Sequence, residues 1–207
     1  SLNNVGKTAQ RQGREEDARA AFEESLDIRR QILARIGETP EALRDLSVSL
    51  NNVGQTAQRQ GREEDARAAF EESLDIRRQI LARIGETPEA LRDLSVSLNN
   101  VGQTAQRQGR EEDARAAFEE SLDIRRQILA RIGETPEALR DLSVSLSNIG
   151  SIRQAMNDIQ AAQASFEEGL DIAEQLRLAF PNNNDYKALT GQFRQVLSEI
   201  NATDTTS

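Results

Sequence analysis

Cysteine, histidine and tryptophan are all absent from the 207 residues, and aromatics amount to 3%, six Phe and one Tyr. Without Cys there is no disulfide to pair and no thiolate metal site; without His the commonest general base and metal ligand is gone. Most catalytic constellations are thereby excluded, and the chain reads as a non-enzyme with no cofactor and no metal. Proline is scarce, at four residues. No apolar run approaches the ~18 residues of a membrane span, and no charged, apolar, small-residue leader is visible. The expectation is a soluble, cytoplasmic chain without a membrane partner. Positive charge is in deficit as well: 26 Lys and Arg against 35 Asp and Glu leave a net charge of −9 and a pI near 4.8. That field repels phosphate backbones, so nucleic acid is not an expected partner.

What remains is rich in Ala, Glu, Arg, Gln and Leu, the straight-chain residues that lose least in a helix. The composition predicts an all-α protein. It is also written in repeats. SLNNVG begins at Ser1, Ser49 and Ser97, and the variant SLSNIG at Ser145, so the period is 48 residues. Three copies run almost letter for letter, and the fourth has drifted.

The period disposes of one apparent motif. Gly6, Lys7 and Thr8 supply the GK[ST] end of a phosphate-binding loop, but the later copies have Gln55 and Gln103 where a lysine must reach the phosphates. The segment also lies in a helical pattern, since Leu91, Leu94, Leu98, Val101 and Ala105 recur at steps of three and four.

Each unit reads as two helices. Thr87 and Pro88 announce the first, a capping hydroxyl followed by proline at the first helical position. It runs to about Gln108 and ends at Gly109, a residue free to turn left-handed. The second begins at Arg110, has Glu111, Glu112 and Asp113 in its first turn and Arg131 near its end, before Gly133. That charge order complements the helix macrodipole. The first-turn cluster Glu63, Glu64 and Asp65 has the same explanation rather than a metal or acid–base one. The second helix carries Ala66, Ala69, Phe70, Ser73, Leu74, Ile76, Ile80, Leu81 and Ile84, a stripe too wide for one partner helix. The units are therefore expected to stack into a solenoid.

These residues resemble the tetratricopeptide repeat family, whose pattern is W-x2-L-G-x2-Y, then A-x3-F, then P. In the second unit Leu50 stands for the Trp, Val53 and Gly54 for the Leu-Gly, Ala57 for the Tyr, and Ala66 with Phe70 for the second-helix pair. Arg78 occupies the proline position, and the unit exceeds the family's 34 residues by a stretch from Leu81 to Leu94, about four helical turns. Whole added turns keep the apolar stripes in phase. The phrase RDLSVSLNNVG is similar to long repeats of large bacterial signalling proteins. The resemblance implies a right-handed α-α superhelical solenoid of stacked antiparallel helix pairs. One repeat array is expected over residues 1–200, with units near 1, 49, 97 and 145, the first unit truncated as in an excerpt from a longer array. A capping helix is expected at 185–200 and a disordered tail at 201–207, where the N-A-T sequon at Asn201 carries little meaning without a leader.

In the family resembled, first helices line a concave surface that binds a peptide or protein. Carried over by position, the candidate residues are Asn3, Asn51 and Asn99; Lys7, Gln55 and Gln103; Gln10, Gln58 and Gln106; and Arg11, Arg59 and Arg107. Amides both donate and accept, and Arg offers a fork for carboxylates. The fourth unit has Ser147, Ser151 and Ala155 at three of these positions, so the groove is expected to end after the third. Asn52, Asn100 and Asn148 persist throughout, which predicts a structural hydrogen bond. Gly54 and Gly102 are expected to let helices approach Ala66 and Ala114. The family's carboxylate clamp is not reproduced, because Lys7 occurs once. The expected function is a non-enzymatic protein-interaction scaffold. The alternatives are a structural spacer or self-associating array, monomeric or joined weakly end to end, and a regulatory arm of a larger signalling protein.

Overall fold

The turn chemistry of the sequence sets the element boundaries. Thr39, Thr87 and Thr135 each accept a hydrogen bond from the backbone N–H three residues on, with proline at the first helical position. Gly61 adopts φ +70°, and the Arg62 N–H reaches back to the Ala57 carbonyl at 2.9 Å, closing the first helix of its unit. In the fourth unit Asn157 takes the same left-handed conformation at φ +63°, which asparagine tolerates better than most residues.

The structure, a computed structural model, describes residues 1–204, which hold nine helices and no strand: α1 Leu2–Arg11, α2 Glu15–Ile36, α3 Pro40–Arg59, α4 Glu63–Ile84, α5 Pro88–Arg107, α6 Glu111–Ile132, α7 Pro136–Ala155, α8 Ile159–Ala179 and α9 Asn184–Asp204. The chain forms two compact units. Residues 1–108 hold α1 to α5, and residues 109–207 hold α6 to α9. Within each, consecutive helices pack against one another through short turns, which makes neighbours antiparallel.

In the first unit the core is a repeated module. Leu43, Leu46 and Leu50 of α3 pack with Leu26 of α2 and with Ala69, Ile76 and Ile80 of α4. Phe22 closes over Ala9 and Ala18, and Phe70 over Ala57 and Ala66. Gly54 serves the Phe70 ring, not Ala66 as expected: a Cβ there would lie 2.7 Å from Phe70 Cε1. The reason is that the ring, rather than the small alanine, fills the space over the glycine. Buried serine pairs join second helices to the first helices that follow them, Ser25 with Ser49 at 3.3 Å and Ser73 with Ser97 at 3.4 Å.

The second unit repeats that pair once, between Ser121 of α6 and Ser145 of α7 at 3.5 Å, and then replaces it. One period later the positions hold Gly169 on α8 and Phe193 on α9. The Phe193 ring occupies the space a serine would need, 2.4 Å from where a Gly169 Cβ would be. Hence α9, expected as a cap over 185–200, sits in the 48-residue register as one more first helix, with Phe193, Leu197 and Ile200 buried against Ala162, Phe166 and Ala173. It runs past Ile200 to Asp204, because Asn201 to Asp204 contain no glycine or proline to stop it. Residues 201–204 are thus helical where a disordered tail was expected. The rest of that tail, 205–207, lies outside the described residues.

Candidate functional site

All twelve candidate residues lie in the first unit: Asn3, Lys7, Gln10 and Arg11 on α1, Asn51, Gln55, Gln58 and Arg59 on α3, and Asn99, Gln103, Gln106 and Arg107 on α5. Offsets of four, seven and eight residues from each asparagine keep every set on one helical face. That face is opposite in character to the leucine stripe. Lys7, Gln55 and Gln103 are exposed, as are Arg11, Arg59 and Arg107, while the Asn and second Gln rows are half-buried.

The four rows are not equivalent. Gln10 Nε2 donates to Thr56 Oγ1 at 3.1 Å, and Gln58 Nε2 to Thr104 Oγ1 at 3.4 Å. Each threonine hydroxyl in turn donates to the carbonyl four residues back, of Asn52 or Asn100. The Gln10 and Gln58 amides therefore tie α1 to α3 and α3 to α5. The Asn row has buried Oδ1 atoms on Asn3, Asn51 and Asn99 with no protein partner. Asn52, Asn100 and Asn148 were expected to make a structural hydrogen bond; in Asn52 and Asn100 the main-chain carbonyl accepts one from the threonine four residues on, while Nδ2 of all three has no protein partner.

Lys7 and the Arg row make no ion pair or hydrogen bond among the described residues, whereas other arginines are extensively engaged. Arg62 pairs with Asp65 at 3.0 Å and Arg67 with Glu64 at 2.7 Å, so two acids of the first-turn cluster on α4 are spent on their own helix surface. Arg77 is 5% exposed and shares the Asp93 carboxylate with Arg44. Burial pushes the Arg77 guanidinium below its ordinary value, against the pull of Asp93, and Arg44 adds to the lowering. Arg77 escaped the sequence reading because a cation on an apolar stripe is identified only by its partner.

Two cavities bear on the candidate positions. Lys7, Gln10, Arg11 and Arg59 line one of about 320 Å³. The other, about 360 Å³, lies in the second unit and is lined by Ser147, Ser151, Phe166, Gln192, Phe193 and Val196. It falls at the fourth-unit positions where the groove was expected to have ended. Serines where the earlier units have Asn and Gln leave room, and the Phe166 and Phe193 rings, 6.5 Å apart and tilted by 58°, supply part of the wall. The 48-residue spacing of Phe193 from Ser145 was the available signal.

Gly6 and Lys7 lie inside α1, and a Cβ on Gly6 would meet the Phe22 ring at 2.6 Å, so the apparent phosphate loop is a packed helix. Among the described residues no group of acids could hold a metal ion, and no helix is long and apolar enough to cross a membrane.

No curated protein sequence matches the chain. Among solved structures, BtubC (BKLC) from P. vanneervenii is 17% identical with a TM-score of 0.63, over 100% of this chain and 80% of that one. A Podosopora anserina protein described as a kinesin light chain, with nearly identical TPR-like repeats, is 17% identical with a TM-score of 0.61, over 100% of this chain and 96% of its own. At such identity the likeness concerns the fold, an all-α helical-repeat solenoid. Tetratricopeptide repeat models match residues 1–79, 94–132 and 144–176. With the helix pairs, the glycine–phenylalanine contacts and the buried alanines at the family's positions, the chain belongs to the tetratricopeptide repeat family.

Proposed function

We propose that this chain is a protein-interaction scaffold whose partner, a peptide or protein segment, lies along the face formed by the first helices α1, α3 and α5. Tetratricopeptide repeats generally mediate protein–protein interaction, and the family is generally non-enzymatic. The observation that carries the reading is that the exposed residues of that face, Lys7, Gln55, Gln103 and the Arg row, have no intramolecular partner. The half-buried Gln10 and Gln58 hold the helices side by side beneath them. Amides and guanidinium groups arrayed on rigid helices offer a partner main chain and its acidic side chains directional bonds without ordering a loop. The test is a pull-down comparing the chain with a variant in which Asn51, Gln55, Asn99 and Gln103 are Ala, both checked for equal helicity and melting. A protein retained by the parent and lost by the variant supports the face; equal retention removes it.

Weak end-to-end self-association is a second reading, favoured by one observation. Ile28 on α2 is 39% exposed, whereas its counterpart Ile76 on α4 is 6% exposed. An apolar patch there offers a second copy a surface that a repeat covers elsewhere in this unit.

A further inference from the structure

We infer that the partner segment is acidic and that its carboxylates fall at every third residue. The inference rests on the proposed binding face and names the chemistry that would occupy it. In a chain of net charge −9, the first unit leaves one repeating row of cations uncommitted: Arg11, Arg59 and Arg107, with Lys7 beside Arg11; Arg35 on α2 is unpaired among the described residues as well, but its counterpart one period on, Arg83, pairs with Glu38, so it belongs to no row. Arg14, Arg30, Arg62, Arg67 and Arg77 in the same unit are all paired with acids. The free row recurs at the 48-residue period and stops where the fourth unit has Ala155. Lys7, Arg11 and Arg59 also line one open cavity with Gln10.

Each of these arginines stands in the last turn of its helix, where a cation complements the macrodipole. That role does not exhaust them. The helix end carries only about half a negative charge, so each full guanidinium charge leaves a positive excess. Lys7 lies a turn earlier and faces the same cavity, which the dipole does not explain.

The register follows from helix packing. The Gln10–Thr56 and Gln58–Thr104 bonds place α1 beside α3 and α3 beside α5. These first helices meet through side chains rather than packing as closely as consecutive helices do, which puts them at the upper end of the usual interaxial spacing, about 10 Å. An extended chain advances about 3.3 Å per residue, so about three residues carry it from one arginine to the next. A planar guanidinium fork then meets a carboxylate at each step.

The experiment is fluorescence anisotropy with three labelled twelve-residue peptides on the whole chain: one with Glu at every third position, one with the same residues and the Glu clustered at one end, and one with Gln for Glu. The spaced acidic peptide is expected to bind tighter than the Gln peptide by on the order of tenfold, as a few exposed ion pairs would give. It should also exceed the clustered peptide and weaken as salt is added. In the variant Arg11→Ala, Arg59→Ala, Arg107→Ala the preference should vanish with helicity and melting unchanged, and Arg→Lys at the same sites should restore part of it. Equal binding of acidic and Gln peptides, no binding by any peptide, or an unchanged preference in the alanine variant would overturn the inference. Equal binding of the spaced and clustered peptides overturns the register. The Asn51, Gln55, Asn99 and Gln103 pull-down reads the face separately, so a face that survives there while the acidic preference fails identifies which of the two was wrong.

Discussion

At the residue scale the fold is held in register by side chains that fit only one neighbour. Gly54 sits mid-helix, where alanine would ordinarily gain about 1 kcal/mol. Here the added methyl meets the buried Phe70 ring at 2.7 Å, and overpacking costs about 1–3 kcal/mol. Gly54→Ala is therefore expected to lower stability by up to about 2 kcal/mol, read from the urea midpoint; a stabilised variant would show that the ring moves freely. Gly169 and Phe193 make a sharper case. Gly169→Ser alone puts a side chain into the ring, and Phe193→Ser alone opens a cavity, whereas both together rebuild the serine pair of Ser121 and Ser145. The double variant should be less destabilised than the sum of the singles, with a coupling of about 0.5–3 kcal/mol from a thermodynamic cycle.

At the element scale, ion pairs link helices as well as lying along them. Asp93 on α5 receives Arg77 from α4 and Arg44 from α3. Asp93→Asn leaves the buried Arg77 uncompensated and is expected to cost about 3–5 kcal/mol, while Arg77→Met with Asp93→Leu should cost much less. Chemical denaturation of both decides it. In the second unit Glu174 on α8 plays the same part, bonded to Arg177 of its own helix and to Arg194 of α9. The Arg177 hydrogen bond holds the Glu174 carboxyl below its ordinary value against the opposing effect of burial, and the Arg194 hydrogen bond adds to the lowering. A depressed folded-state pKa contributes stability above the unfolded value, which is lost as pH falls through the folded one. The protection factors of the α9 amides, taken against the intrinsic exchange rate at each pH, should consequently fall below the usual carboxylate range, and Arg194→Gln should remove part of that pH dependence. Constant protection factors across that range in the parent would exclude Glu174 as a tether of α9.

At the scale of the whole molecule, what matters is which surfaces stay uncovered. The −9 charge opposes association of like copies at long range, so any end-to-end contact must be short-range and apolar. Ile28, 39% exposed on α2, is the apolar side chain such a contact would cover. If copies associate there, the apparent mass in sedimentation equilibrium rises with concentration and with salt, and Ile28→Glu abolishes the rise. A constant monomer mass in the parent would end that reading and leave the partner-binding face as the open surface.

The sequence by itself determined the helices, their period and their core stripe. Capping threonines, N-terminal prolines and turn glycines act within a few residues, and the 3.6-residue periodicity of Leu91, Leu94 and Leu98 is local as well. It also placed the candidate rows on one helical face. It could not say what those rows touch. The helices α2 and α4 have the same sequence, yet Ile28 is open and Ile76 covered, and Arg29 keeps 32% of its side chain exposed where Arg77 keeps 5%. Burial is decided by the helix that arrives from elsewhere in the chain, and no property of the repeat itself records it. For the same reason only the tertiary structure turned Gln10 and Gln58 into ties between first helices, opened a cavity at Ser147 and Ser151, and left Arg11, Arg59 and Arg107 unpaired.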